Sequence, residues 1–245
     1  MFGFYAISFI ASICYFAPPA GWAAAHPKNL SPHVQIGFVS PKISTFRPSI
    51  NLALEKVDLP LREYLKAVKK IHLSQPGTQW RDLGAFKLAA GEGRLTEISS
   101  HSPYGDLKML QAIFLSENTA YILTAAVLKK DYIREQKALL QSLQSLRLAP
   151  DLYTAFSQEE PRKRFISFFD SLAACPVEEQ SEEWKNQKWA SLQTLVQQYG
   201  SELGSHWQFL ALQEGHEQIY NAPKKEGDPV HEKAMDRIAH IDHPE

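Results

Sequence analysis

The nine histidines of this 245-residue chain invite a metal reading, and their spacing decides whether they act together. His206 and His216 are too far apart to share one helical turn, and neither opens an H-E-x-x-H motif. His231, Asp236, His240, Asp242 and His243 crowd the tail. Imidazole and carboxylate together suit a divalent cation. A polar segment, however, loses entropy on ordering and lacks the buried partners that orient ligands. These residues read as a solvated tail with adventitious metal affinity, and no metal or cofactor is expected.

The other reactive groups have plainer uses. Glu159-Glu160 and Glu178-Glu179 with Glu182-Glu183 stand at helix starts, where negative charge complements the dipole, so they read as caps rather than an acid–base pair. Gly91-Glu92-Gly93-Arg94 falls between strands, which predicts a hairpin rather than a phosphate cradle. Neither a Gly-x-Ser-x-Gly elbow nor a Walker loop is present. Ala173-Ala174-Cys175-Pro176 is a helix terminus, which makes Cys175 a small structural residue rather than a nucleophile. Pro161-Arg162-Lys163-Arg164 follows two acids and reads as a solvated helix start, with docking on anionic lipid as the alternative. No catalytic residue emerges. Trp184, Trp189 and Trp207 fit the apolar faces of their helices, and they are also the candidate anchors for a protein partner.

These residues need a scaffold, and periodicity supplies one. Val34–Val39 is a short apolar run within a Pro/Ser-rich stretch, and Ile50–Leu54 alternates as a half-buried strand does. Asp58-Leu59-Pro60 predicts an N-cap, followed by a helical stripe at Leu61, Tyr64, Leu65, Val68 and Ile71. Between Trp80 and Leu128, strands alternate with turns at Gly91-Glu92-Gly93, Ser102-Pro103-Tyr104-Gly105 and Ser116-Glu117-Asn118. Short turns imply antiparallel pairing. The runs Met109–Leu115 and Tyr121–Leu128 are apolar on both faces, which predicts a sheet covered on both sides. A helix with Ile133, Leu139, Leu140, Leu143 and Leu146 follows. Beyond Pro150, a capping box at Ser157–Glu160, a start near Ser181 and a restart at Ser205 predict three more helices.

The first 27 residues contain no Lys, Arg, Asp or Glu. An apolar run to Ala17, a Pro18-Pro19 break and Ala23-Ala24-Ala25 predict an export signal ending at Ala25, with an uncleaved membrane anchor as the second reading and a lipoprotein with its lipid on Cys14 as the third. Cleavage there leaves Cys175 as the single thiol and excludes an intramolecular disulfide. The net charge of −1 argues against bulk attraction to nucleic acid or anionic lipid.

Phe46-Arg47-Pro48-Ser49-Ile50-Asn51, Leu83-Gly84-Ala85-Phe86, Tyr121–Ala125 and Leu143–Leu148 together resemble the PsbP-like domain, shared by PsbP and DcrB-type envelope proteins. The resemblance implies an antiparallel sheet between helices and a binding or assembly role. It brings no catalytic residues. The expected organisation is a signal over 1–25, an extended lead-in over 26–45, a PsbP-like α+β domain over 46–150, a helical extension over 151–221 and a loose tail over 222–245. The expected function is an exported, non-enzymatic binding protein of the envelope or secreted fraction whose partner is another such protein. A secreted enzyme or small-ligand binder, with its site between the sheet and the C-terminal helices, is the alternative.

Overall fold

The computed structural model describes residues 13–42, 44–175 and 179–220. They divide into two compact units, one from Phe16 to Leu146 and one formed by Ile13–Tyr15 with the residues from Arg147 onward.

The first unit is α+β. Seven strands form one antiparallel sheet: β2 (Ala23–Ala24), β3 (Val34–Val39), β4 (Ser49–Lys56), β5 (Gln79–Leu88), β6 (Gly91–Ser102), β7 (Gly105–Ser116) and β8 (Thr119–Leu128). Their spatial order is β2-β3-β4-β8-β7-β6-β5. β1, Ile13–Tyr15, belongs to the other unit. Helix α1, Leu61–Leu73, sets Tyr64, Leu65 and Val68 on Ile113 and Ala120. Helix α2, Tyr132–Gln144, runs over β8, β7 and β5, and the Tyr132 ring lies 4.1 Å from Lys108 Nζ. Ile113 and Lys108 differ in parity along β7, so the two helices cover opposite faces. The expected sheet between helices is what forms. Phe38, Ile50, Leu52, Leu110 and Leu123 are buried beneath α2's face, each contributing about 1.5–3 kcal/mol by leaving water.

Several details depart from the pattern. Asp58 does not cap α1: the chain enters the helix at Pro60, which has no side-chain cap bond. Ile71, in the last turn of α1, and Ile133, on the side of α2 opposite the buried Leu139 and Leu143, face water. The β5–β6 turn is Ala89-Ala90, not Gly91-Glu92-Gly93, since Leu88 already pairs with Gly91. The amides of Ala89 and Ala90 donate to the carbonyls of Gln144 and Leu146, so the turn is fixed by the end of α2. Gly93 serves close approach instead: a Cβ there would lie 2.5 Å from the Ile113 carbonyl oxygen.

The expected boundary after Ala25 falls inside folded structure. Phe16 is fully buried and meets Phe38 edge-on at 5.7 Å, Trp22 is buried, and Ala23–Ala24 is strand β2. Cutting after Ala25 would remove all of these. The 26–45 stretch is likewise no mere lead-in, since β3 pairs with β4 along its length.

In the second unit, β1 pairs with β9, Arg147–Ala149. Three helices follow: α3 (Glu159–Ala173), α4 (Glu182–Tyr199) and α5 (Ser205–Tyr220). Phe156, Phe165 and Trp207 form an aromatic cluster with centroids 4.8 to 5.3 Å apart. Trp207 Nε1 donates to the Leu152 carbonyl at 3.2 Å, which satisfies its only donor. Gly215 lets α5 meet α4: a Cβ there would lie 2.0 Å from Leu192 Cδ2. Ser181 caps α4 by accepting from the Trp184 amide at 3.2 Å. Ser157 does not cap α3, because the N-cap position falls one residue later, on Gln158, which makes no side-chain cap bond. No helix among the described residues is long and apolar enough to cross a membrane.

Candidate ligand-binding cleft

A cleft of about 590 Å³ opens on the α1 face of the sheet, at the β2–β3–β4 end. Its floor is four residues of two strands. Gly37 pairs with Asn51 and Val39 with Ser49, and all four share the parity of Glu55, whose carboxylate accepts from the Tyr64 hydroxyl of α1. Gly37 keeps the floor low. Its backbone is not left-handed, so space rather than conformation calls for glycine: a Cβ would sit 3.0 Å from Leu30 Cδ2 and 3.6 Å from Asn51 Cβ.

Two segments make the walls. One is Ala23–Ser31, which leaves β2 through a 3-10 turn at Pro27–Asn29. Bonds from the Asn29 amide to the His26 carbonyl (2.9 Å) and from the Leu30 amide to the Pro27 carbonyl (3.0 Å) hold that turn. The other wall is Phe46-Arg47. Arg47 Nε donates to the Ser40 carbonyl at 2.8 Å, and the Phe46 ring lies 6.3 Å from that of Tyr104 at the β6–β7 turn. The strap carrying this wall is tied to α2 by Lys42 Nζ on Glu135 Oε1 at 3.0 Å. Burial opposes charge on Glu135, but hydrogen bonds from Lys42 and Arg134 outweigh it and hold the carboxyl below its ordinary pKa.

The lining chemistry is consistent. Among the described residues that form the cleft, Ala23, Ala24, Ala25, Leu30, Val34 and Phe46 are apolar. Asn29, Ser31, Ser49 and Asn51 offer amides and hydroxyls, and Arg47 the one fixed charge. There is no carboxylate, lysine or thiol. The lining thus mixes apolar and polar groups about equally, in a concavity of the size that holds small molecules. From Asn51 a polar row crosses the sheet through the cross-strand neighbours Thr124, Gln111 and Thr96. Gln111 Nε2 donates to Thr124 Oγ1 at 3.2 Å, while its buried Oε1 has no partner among the described residues.

The residues that sequence singled out lie elsewhere. Trp207 is fully buried and presents no surface to a partner, whereas Trp184 and Trp189 keep part of their rings exposed. Lys188 lies 5.6 Å over Trp184, and His216 meets Trp189 edge-on at 5.6 Å. Arg162 Nη2 donates to the Phe156 carbonyl (2.7 Å), while Lys163 and Arg164 pair with Glu159 and Glu160, each at 2.8 Å. Two of the three charges are therefore paired with acids, and Arg162 is turned back onto the backbone. Cys14 lies within β1, where burial pushes its thiol pKa up. Cys175 lies just past the end of α3. Among the described residues, no group of three or more His, Cys, Asp or Glu is placed to hold a metal. The tail histidines, Pro176 and Glu178 lie outside the described residues. Sequence reasoning missed the cleft, although Phe46–Asn51 had been singled out as a motif and supplies Phe46, Arg47, Ser49 and Asn51.

No family model and no curated protein matches the chain. Solved structures do resemble it. LpqN of Mycobacterium tuberculosis, described as involved in cell envelope biogenesis, is 15% identical, with 57% of this chain and 85% of that chain covered at a TM-score of 0.44. Cyanobacterial PsbP from Synechocystis sp. PCC 6803 is 11% identical, with 60% and 98% covered at 0.42. The Ran-binding protein Mog1p of Saccharomyces cerevisiae is 16% identical, with 55% and 93% covered at 0.39. A PsbP thus stands among the neighbours, as the sequence motifs anticipated.

Proposed function

We propose that this is an exported protein that binds rather than catalyses, and that its ligand site is the cleft over Gly37 and Asn51. The cleft carries this reading. It has the size of a small-molecule site, about 300–1,000 Å³, and its walls are held by hydrogen bonds on both sides. His26 is the one side chain there suited to general-base work, and its Nδ1 accepts from the Lys28 amide at 3.2 Å. The uncharged opening of the chain supports export.

The test is a fragment set titrated into the full chain, followed by amide chemical shifts in two-dimensional NMR. Shifts clustered at Gly37, Ser49 and Asn51, and lost in Gly37→Leu with the far-ultraviolet circular dichroism of the folded chain retained, are expected. A set that leaves these amides still while shifting others would overturn the reading.

A second reading, docking of an envelope or secreted protein, is favoured by the part-exposed rings of Trp184 and Trp189. It predicts that Trp184→Ala with Trp189→Ala loses a partner that the Gly37→Leu protein retains. Co-purification from the native compartment checks this.

A further inference from the structure

We propose that the cleft takes a small organic carboxylate with an apolar body. The proposal rests on the reading of the cleft as a ligand site and names the class of its ligand. Charge argues first. Arg47 is the only permanently charged residue of the described lining, and no carboxylate stands there to neutralise it. Its Nε is committed to the Ser40 carbonyl, which fixes the plane of the guanidinium, and no described residue accepts from its Nη groups. A planar fork held in this way is matched by a carboxylate, which takes two parallel N–H bonds.

The floor agrees. Asn51 and Ser49 bring an amide and a hydroxyl that bond to no other described side chain, so an oxygen beyond the reach of Arg47 still meets donors. Beside the polar His26, Asn29 and Ser31, the residues Leu30, Val34, Phe46 and Ala23–Ala25 give the cleft a hydrocarbon part that suits an aliphatic or aryl body. A bare phosphate fits less well. Its further oxygens and charge call for more donors and cations than one arginine supplies, and the apolar walls would go unused.

Matched probes test the class. Benzoate and hexanoate, with benzamide and hexanamide as neutral isosteres and inorganic phosphate as a third arm, are titrated into the full chain and read at the Gly37, Ser49 and Asn51 amides. Each acid is expected to bind at least tenfold more tightly than its amide. Arg47→Gln should erase that preference and Arg47→Lys should keep part of it, with the amide spectrum away from the cleft unchanged in both. Amides that bind at the cleft as tightly as the acids overturn the carboxylate and leave the ligand site standing. An acid preference that survives Arg47→Gln also overturns it. Phosphate binding as tight as benzoate overturns the apolar body. If no probe moves the cleft amides, both the class and the site fall.

Discussion

His206 is fully buried in the helical unit, and burial pushes its pKa from the ordinary 6.5 down to about 3. The imidazole is therefore neutral when folded and protonates on unfolding at mildly acid pH. The unfolded chain binds the extra proton, so this residue's contribution to stability is whole above pH 6.5 and is lost as pH falls from there toward 3. The slope is about 1.4 kcal/mol per pH unit from this one group. Urea midpoints at pH 7 and pH 4.5 should differ clearly in the native chain and by less in His206→Gln. The neighbouring Trp207 shows what was readable at this scale. Its place in an apolar helical pattern marked it as core, and it is core. Arg47 and Asn51 show what was not. Their sequence neighbours announced a strand, but the wall facing them comes from Ala23–Ser31, which has no periodicity to read and was assigned to the signal and the lead-in.

Elements with strong period or clear turn chemistry were legible, and those decided by distant contacts were not. The apolar runs that became β7 and β8 were visible because both faces are covered, which leaves no polar alternation to confuse them. The β5–β6 turn was misplaced because two glycines outvoted two alanines. The alanines win through bonds to the end of α2, a contact more than fifty residues away in sequence. The β7–β8 turn offers a direct test. Glu117 and Asn118 both adopt positive φ, 46° and 57°, a pairing suited to Asn-Gly rather than Glu-Asn. Glu117→Asn should relieve left-handed strain and raise stability by about 0.5–1 kcal/mol, read as a higher melting temperature. Gly93→Ala should act in the opposite sense, since its Cβ would collide with the Ile113 carbonyl. A loss of about 1–3 kcal/mol is expected from the forced shift between β6 and β7.

For the whole molecule, the decisive segment is the one at the start. Composition marked it as an address, whereas burial shows that from Ile13 onward it is also structure. Phe16→Ala should cost about 3–5 kcal/mol, as for other buried aromatics. Deleting residues 1–25 should cost more, because Trp22, β1 and β2 go with it. Denaturant unfolding checks both. The mature protein, sequenced from its native compartment, should still contain Ile13. The α+β class was legible because its strands and helices are local patterns. The union of the first strand with Arg147–Ala149 was not, because no local pattern encodes a partner so far along the chain. That union sets an order of events during synthesis. Ile13–Tyr15 leaves the ribosome early, and the strand it pairs with appears only after the whole Phe16–Leu146 unit has been made. At about 5–20 residues per second, this is a wait on the order of ten seconds. The sheet unit can close during that time, while the second unit cannot. The first of the described strands to be translated is thus among the last to find its place.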